Sequence, residues 1–234
     1  MSAPLRYIER ARTYFSELGY TTEYRWPHFT DVPFTALKKP LSDCCITIVT
    51  TSFVEEKSEE NVSKESEIVL AGDVYEIDSR VKACDLFCRH EGYDSYATNV
   101  DDVDSFLPVS RLHESVAEGR IGSVAPFFFI MGCAKDIVEH CGVPRLLFTD
   151  FPLGNPCGEP FKAEQQKTLL SMALDLLESA RAPRTTVQTP FIWPHGDQWK
   201  ETFMTKEHPF LDEKGMQLWL QAKGALKAEK AANR

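Results

Sequence analysis

The 234-residue chain has no stretch approaching the roughly 18 uninterrupted apolar residues needed to cross a bilayer, and nothing near its N-terminus joins a basic segment to an apolar run. It is expected to be soluble and cytoplasmic. Positive charge is also short: 26 Lys and Arg stand against 35 Asp and Glu. The resulting negative field repels phosphate backbones and anionic lipid, so neither nucleic acid nor a membrane is an expected partner. There is no CxxC pair, no internal repeat and no low-complexity tract. The seven cysteines, at 44, 45, 84, 88, 133, 141 and 157, are an odd number in a chain without an export signal, which argues for thiols rather than a disulfide scaffold. Cys84, Cys88 and His90 lack the second ligand pair that a structural zinc site uses, so no metal is expected. Cys44 and Cys45 read as core residues of a strand.

What the sequence does contain is an alternation of apolar runs and helical spacings. Leu5, Ile8, Tyr14, Phe15 and Leu18 recur at helical intervals, with Gly19 as a stop. "CCITIVTT" is a β-branched run suited to a strand buried on both faces. The charged, serine-rich segment from Ser52 to Glu67 reads as a surface loop. Residues 66–78 and 81–90 suit either strand or short helix. "VSRLHESVAEG" predicts a short helix closed by glycine, "SVAPFFFIMG" a strand, "CAKDIVEHCG" a second short helix, and "RLLFTDF" another strand. A long helix over "KAEQQKTLLSMALDLLESA" puts Leu169, Leu170, Ala173, Leu174 and Leu177 on one face. Strand and helix in series imply parallel pairing with right-handed crossovers. The expected fold class is therefore α/β, a layered, open and mostly parallel sheet with flanking helices. "CITIVTT", "APFFFIMG" and "RLLFTDF" are expected to be its neighbouring strands. One domain over 1–204 and an exposed helical tail over 205–234 are expected.

The densest cluster of special residues is "DFPLGNPCGEPF", which follows the last of those strands. In an open parallel sheet, ligands bind beyond the carboxyl ends of strands. Two consecutive strands end here in thiols. One delivers Cys133 to a helix start, where the helix dipole favours a thiolate; the next delivers Asp150 and then Cys157. On that reading Asp150, Gly154 and Asn155 form the ligand-facing loop of the main pocket. The plain alternative is that the glycines and prolines only shape a turn, and that both cysteines pack as small hydrophobes.

Four segments, "DVPFTALKKPLSDCCITIVTT", "VSRLHESVAEGRIGSVAP", "CAKDIVEHCGVPRLLFTDFPLGNPCG" and "RTTVQTPFIWP", occur in an order that resembles the selenoprotein B family of glycine, sarcosine, betaine and D-proline reductases and its cysteine-containing relatives. The resemblance runs from about Tyr7 to Phe203, interrupted near residues 53–66. It implies an α/β fold and reductive carbon–nitrogen cleavage of a small amine or amino-acid-like substrate. A selenocysteine or cysteine attacks, a second thiol resolves, and a dithiol donor supplies electrons, with no separate cofactor. It also implies a partner subunit. The chain departs from the family near 126–133: "SVAP" runs through "FFFIMG" directly into "CAKDIVEHCGVPR", and the nucleophile motif that relatives carry between these segments is absent. Cys133 and Cys157 then fill the catalytic role only by substitution. The alternative is a non-catalytic remnant that binds a small molecule or a partner subunit.

Overall fold

The computed structural model describes residues 2–59, 75–89, 92–124, 131–211, 213, 215–217 and 220–221. The middle of the charged loop, His90, residues 125–130 and most of the expected tail lie outside the described residues.

The first helix, α1 (Tyr7–Glu17), ends as its sequence predicts. Gly19 takes φ +86°, and the N–H groups of Gly19 and Tyr20 donate to the carbonyls of Ser16 and Phe15, both at 3.0 Å. This double bond closes the last turn, and its left-handed residue is one that glycine adopts without steric penalty.

Among the described residues, seven strands follow. β1 (Cys45–Ile46) pairs in parallel with β4 (Ser123–Val124). β5 (Met131–Gly132), β6 (Arg145–Phe148) and β7 (Thr185–Gln188) form a parallel sheet in the order β5-β6-β7. The apolar run ending at Gly132 thus joins β1 by its first residues and β6 by its last, in the parallel sense expected. β2 (Val54–Glu56) and β3 (Leu86–Cys88) form an antiparallel pair. Sequence reading placed Val54–Glu56 in a solvated loop; instead Val54 is fully buried at the centre of a cluster with Leu86, Val103, Phe106 and Leu107. The ambiguous segment 81–90 resolves into both alternatives, a 3-10 turn at Ala83–Asp85 and then β3.

β6 is the centre of the fold: Leu146, Leu147 and Phe148 are all buried, as a strand covered on both faces requires. On one side lies α4 (Ala163–Ser179), whose Ala173 and Leu176 pack on Leu147. Its Leu170 and Leu174 face a second cluster with Leu41, Cys44, Leu112 and Ile121, so α4 joins the two parallel sheets. α2 (Val109–Ala117) contributes Leu112 to that cluster. On the other side, α1 and α3 (Lys135–Cys141) enclose Tyr7, Tyr14, Cys133, Phe151, Trp193 and Trp199. A short helix, α5 (Trp199–Thr202), closes this side. Cys44 is core as expected, but Cys45 is exposed, because alternate residues of a strand point to opposite faces and only one face of β1 is covered.

Candidate functional site

The carboxyl ends of β5 and β6 bring four of the five expected site residues into one buried region, with Gly154 at its edge. Cys133 follows β5 directly and is 5% exposed. Its thiol is pushed up to about 12, by burial first and then by the Asp150 carboxylate, against backbone hydrogen bonds from Asn155 and Phe151 that pull the other way. Cys157 is also buried, and burial, followed by the nearby Cys133 and Asp104, holds it well above the ordinary thiol value. A low-pKa thiol was expected at Cys133. Helix α3 starts only at Lys135 and has two turns, and loss of water around the sulfur outweighs what so short a dipole supplies.

The loop from Asp150 to Gly158 is fastened at both ends. Asp150 Oδ2 accepts from Lys200 Nζ at 2.7 Å, and both side chains are nearly sealed, at 9% and 8% exposure. Lys200 Nζ also donates to Ser2 Oγ at 3.0 Å and lies 3.2 Å from Asp197 Oδ1. Arg10 reaches across to the carbonyls of Lys200, Glu201 and Phe203, tying α1 to α5. At the other end Asn155, wholly buried, donates from Nδ2 to the Asn99 carbonyl at 3.0 Å and to Ser105 Oγ at 2.7 Å. The Cys157 N–H donates to the Ser105 carbonyl at 2.8 Å. Gly154 has φ +119°, and a Cβ there would lie 2.7 Å from Tyr93 Cβ, so both conformation and space call for glycine.

A cavity of about 390 Å³ opens beside this loop. Cys133, Cys157 and Gly154 line it, together with Cys88 from β3 and Tyr93. Asp150 and Asn155 are engaged behind that wall, by Lys200 and by the 99–105 segment, rather than forming part of it. A larger cavity of about 900 Å³ lies between α1, residues 19–26 and residues 203–210, and the loop touches it only through Leu153. The expectation that the loop lines the main pocket thus applies to the smaller cavity, through backbone and thiols rather than through its carboxylate and amide. Among the described residues no group of three His, Cys, Asp or Glu side chains is placed to hold a metal ion, and no helix is long and apolar enough to cross a membrane.

The sequence profile of the glycine/sarcosine/betaine reductase selenoprotein B family matches residues 6–136, more than half of the chain. The chain belongs to the selenoprotein B family. Subunit gamma of the glycine reductase complex component B of Carboxydothermus hydrogenoformans is 32% identical over 112 residues, covering 47% of this chain and 26% of that protein. The chain thus spans about a quarter of the length of the curated relative it matches. No solved structure matches.

The selenoprotein B match includes Cys88 and Cys133 and stops before Asp150, Gly154, Asn155 and Cys157. Sequence reading missed Lys200, Arg10 and Cys88 as parts of this region. Lys200 meets Asp150 across 50 positions, and nothing in "DQWKETF" signals a buried cation. Cys88 is singled out in sequence only with Cys84 and His90, as a trio without the second ligand pair of a zinc site. The one readable signal was its place at the end of a β-type run, "LFC", and the fold then sets it on the wall of the same cavity.

Proposed function

We propose that this chain is a selenoprotein B-like thiol reductase that cleaves a carbon–nitrogen bond of a small amine or amino-acid-like substrate, with Cys133 and Cys157 as its redox pair. The observation that carries this reading is that the two thiols share one cavity at the carboxyl edge of the parallel sheet, close enough for the charge of Cys133 to raise the Cys157 thiol. The chemistry balances on two thiols. Deprotonated Cys133 attacks the carbon next to nitrogen, the carbon–sulfur bond forms, and the amine leaves with a proton. Cys157 then attacks the Cys133 sulfur, a disulfide forms, and the carbon departs with the electron pair and takes up a proton. A dithiol donor returns the disulfide to two thiols. Asp150 and Asn155 hold the loop that presents Cys157, and Gly154 lets that loop pack directly on Tyr93 at the cavity wall. The glycine reductase relative is a component of a complex, which favours work alongside a partner subunit. We take residues 1–204 as the reductase-like domain and 205–234 as an appended tail.

A second reading, a non-catalytic remnant that binds a small molecule or a partner, is favoured by one feature. Burial keeps both thiols protonated at neutral pH, so the described state holds no ready nucleophile. Mass spectrometry after mild oxidation separates the two. The reductase reading expects a Cys133–Cys157 disulfide that disappears in Cys157→Ser, with release of amine from substrate in the presence of a dithiol. Persistent absence of that disulfide leaves the remnant.

A further inference from the structure

A redox pair this nearly buried, with Cys133 at 5% and Cys157 at 2% exposure, meets an external dithiol poorly. Here a third thiol borders the same cavity. Cys88, at the end of β3, is half-buried, whereas Cys133 and Cys157 are sealed. Cys133 lies against the backbone of Phe151 and Asn155. Cys157 is fastened by its N–H to Ser105. Cys88 packs on the cluster of Val103, Phe106 and Leu107, the same segment that contains Ser105. None of Cys44, Cys45, Cys84 or Cys141 borders this cavity.

We propose that Cys88 is a relay thiol, the point at which an external dithiol passes electrons to the buried pair. This rests on the reductase reading and deepens it. The Cys88 thiolate attacks the Cys157 sulfur of the Cys133–Cys157 disulfide. A Cys88–Cys157 bond forms and Cys133 leaves as thiolate, taking a proton. One sulfur of the external dithiol then attacks Cys88, releasing Cys157 as a thiol. Its second sulfur closes on the first, freeing Cys88 and leaving with the oxidised donor. Each exchange breaks one disulfide and makes one, so two electrons move inward with no further reactant.

The test uses the full chain and dithiothreitol as the dithiol. Parent, Cys88→Ser, Cys88→Ala and Cys84→Ser proteins are oxidised with diamide and digested at low pH, and linked peptides are quantified during reduction. The parent is expected to give a Cys88–Cys157 peptide beside the Cys133–Cys157 one. Both Cys88 variants should lose that peptide and reduce the buried disulfide about tenfold more slowly, as expected when the accessible attacking thiol is removed. Cys84→Ser, four positions away, exposed and off the cavity, should match the parent. A Cys133–Cys157 disulfide reduced at the parental rate in the Cys88 variants, with no Cys88–Cys157 peptide in the parent, overturns the relay and leaves the reductase reading standing. Failure of the Cys133–Cys157 disulfide to form in any protein overturns the reductase reading and the relay with it.

Discussion

Asp150 and Asn155 stand on one loop, both out of solvent, and are held by opposite kinds of bond. Asp150 is fixed by a charge, Lys200, brought from the far end of the chain. Asn155 is fixed by neutral hydrogen bonds to Asn99 and Ser105. The difference bears on how each end fails. A neutral group that loses its partner leaves one unsatisfied dipole, whereas an ion that loses its partner leaves a whole charge in a medium that solvates it poorly. Both anchors bear on Cys133: the Asp150 carboxylate helps to keep that thiol protonated, whereas the backbone N–H of Asn155 hydrogen-bonds it and favours the thiolate.

The strongest way to break the comparison is to remove the cation. Lys200→Met leaves Asp150 buried and unpaired and is expected to lower unfolding stability by about 3–5 kcal/mol, read from denaturant melts. Asp150→Asn added to Lys200→Met should recover most of that loss, because no buried charge then remains. A single variant as stable as the parent would mean that water reaches Asp150 and the anchor is not ionic in effect. At the other end, Asn155→Ala should lower stability by about 1–3 kcal/mol, the range for stripping partners from buried polar groups. Part of that loss is offset, since Asn155 Oδ1 is itself buried without a hydrogen bond among the described residues.

These two anchors show where sequence reading succeeds and where it stops. The helices were legible because their signal is local. Leu169, Leu170, Ala173 and Leu174 repeat at helical spacing and all four are buried on α4, and Gly19 and Gly119 end α1 and α2 at positive φ. The set Leu5, Ile8, Tyr14, Phe15 and Leu18 leaves out Tyr7, which is 3% exposed and lies two turns before Tyr14 in the same cluster. The parallel order of β1 with β4 and of β5 with β6 was legible from strands separated by helices. β2 was not, since Val54 is a single apolar residue beside two glutamates, and it becomes a strand only because β3 pairs with it across a charged excursion. β7 was not among the expected strands, although its β-branched Thr185, Thr186 and Val187 fit one. At the site, the approach of Cys133 to the 150–158 loop follows from strand order. Lys200 does not, because an ion pair across 50 positions leaves no periodic trace.

A smaller effect comes from the thiols beneath the loop. In the unfolded chain a thiol loses its proton near pH 8.5, whereas folded Cys133 keeps it to about 12. A raised folded value means that the native state binds the proton more tightly. The stability this confers is fully present below the unfolded value and is lost as pH rises towards 12. Between those limits each such thiol contributes a decline of about 1.4 kcal/mol per pH unit. Melting temperature followed from pH 8 to 11 should therefore fall less steeply for Cys133→Ala than for the parent. Equal slopes would place Cys133 in contact with water and remove the burial argument against a ready thiolate.

The smallest expected effect tests whether burial, rather than the presence of an ion pair, makes the Asp150 anchor strong. Arg120 also joins distant parts of the chain, with Nη2 at 2.5 Å from Asp175 Oδ1 and 3.0 Å from Glu178 Oε2 on α4. It differs in setting: the Arg120 side chain is 34% exposed and that of Asp175 65%. In high dielectric the attraction is screened, and holding two long side chains in one geometry offsets much of the rest. Arg120→Ala is expected to lower stability by no more than about 1 kcal/mol, and by less in high salt. Lys200→Met should keep its larger loss at the same salt, because counterions do not enter a sealed pair. Melts of both variants at low and high ionic strength make the check. If the two losses were equal and equally salt-sensitive, Lys200 and Asp150 would behave as a surface pair, and the loop would have no charged anchor to contrast with the neutral one at Asn155.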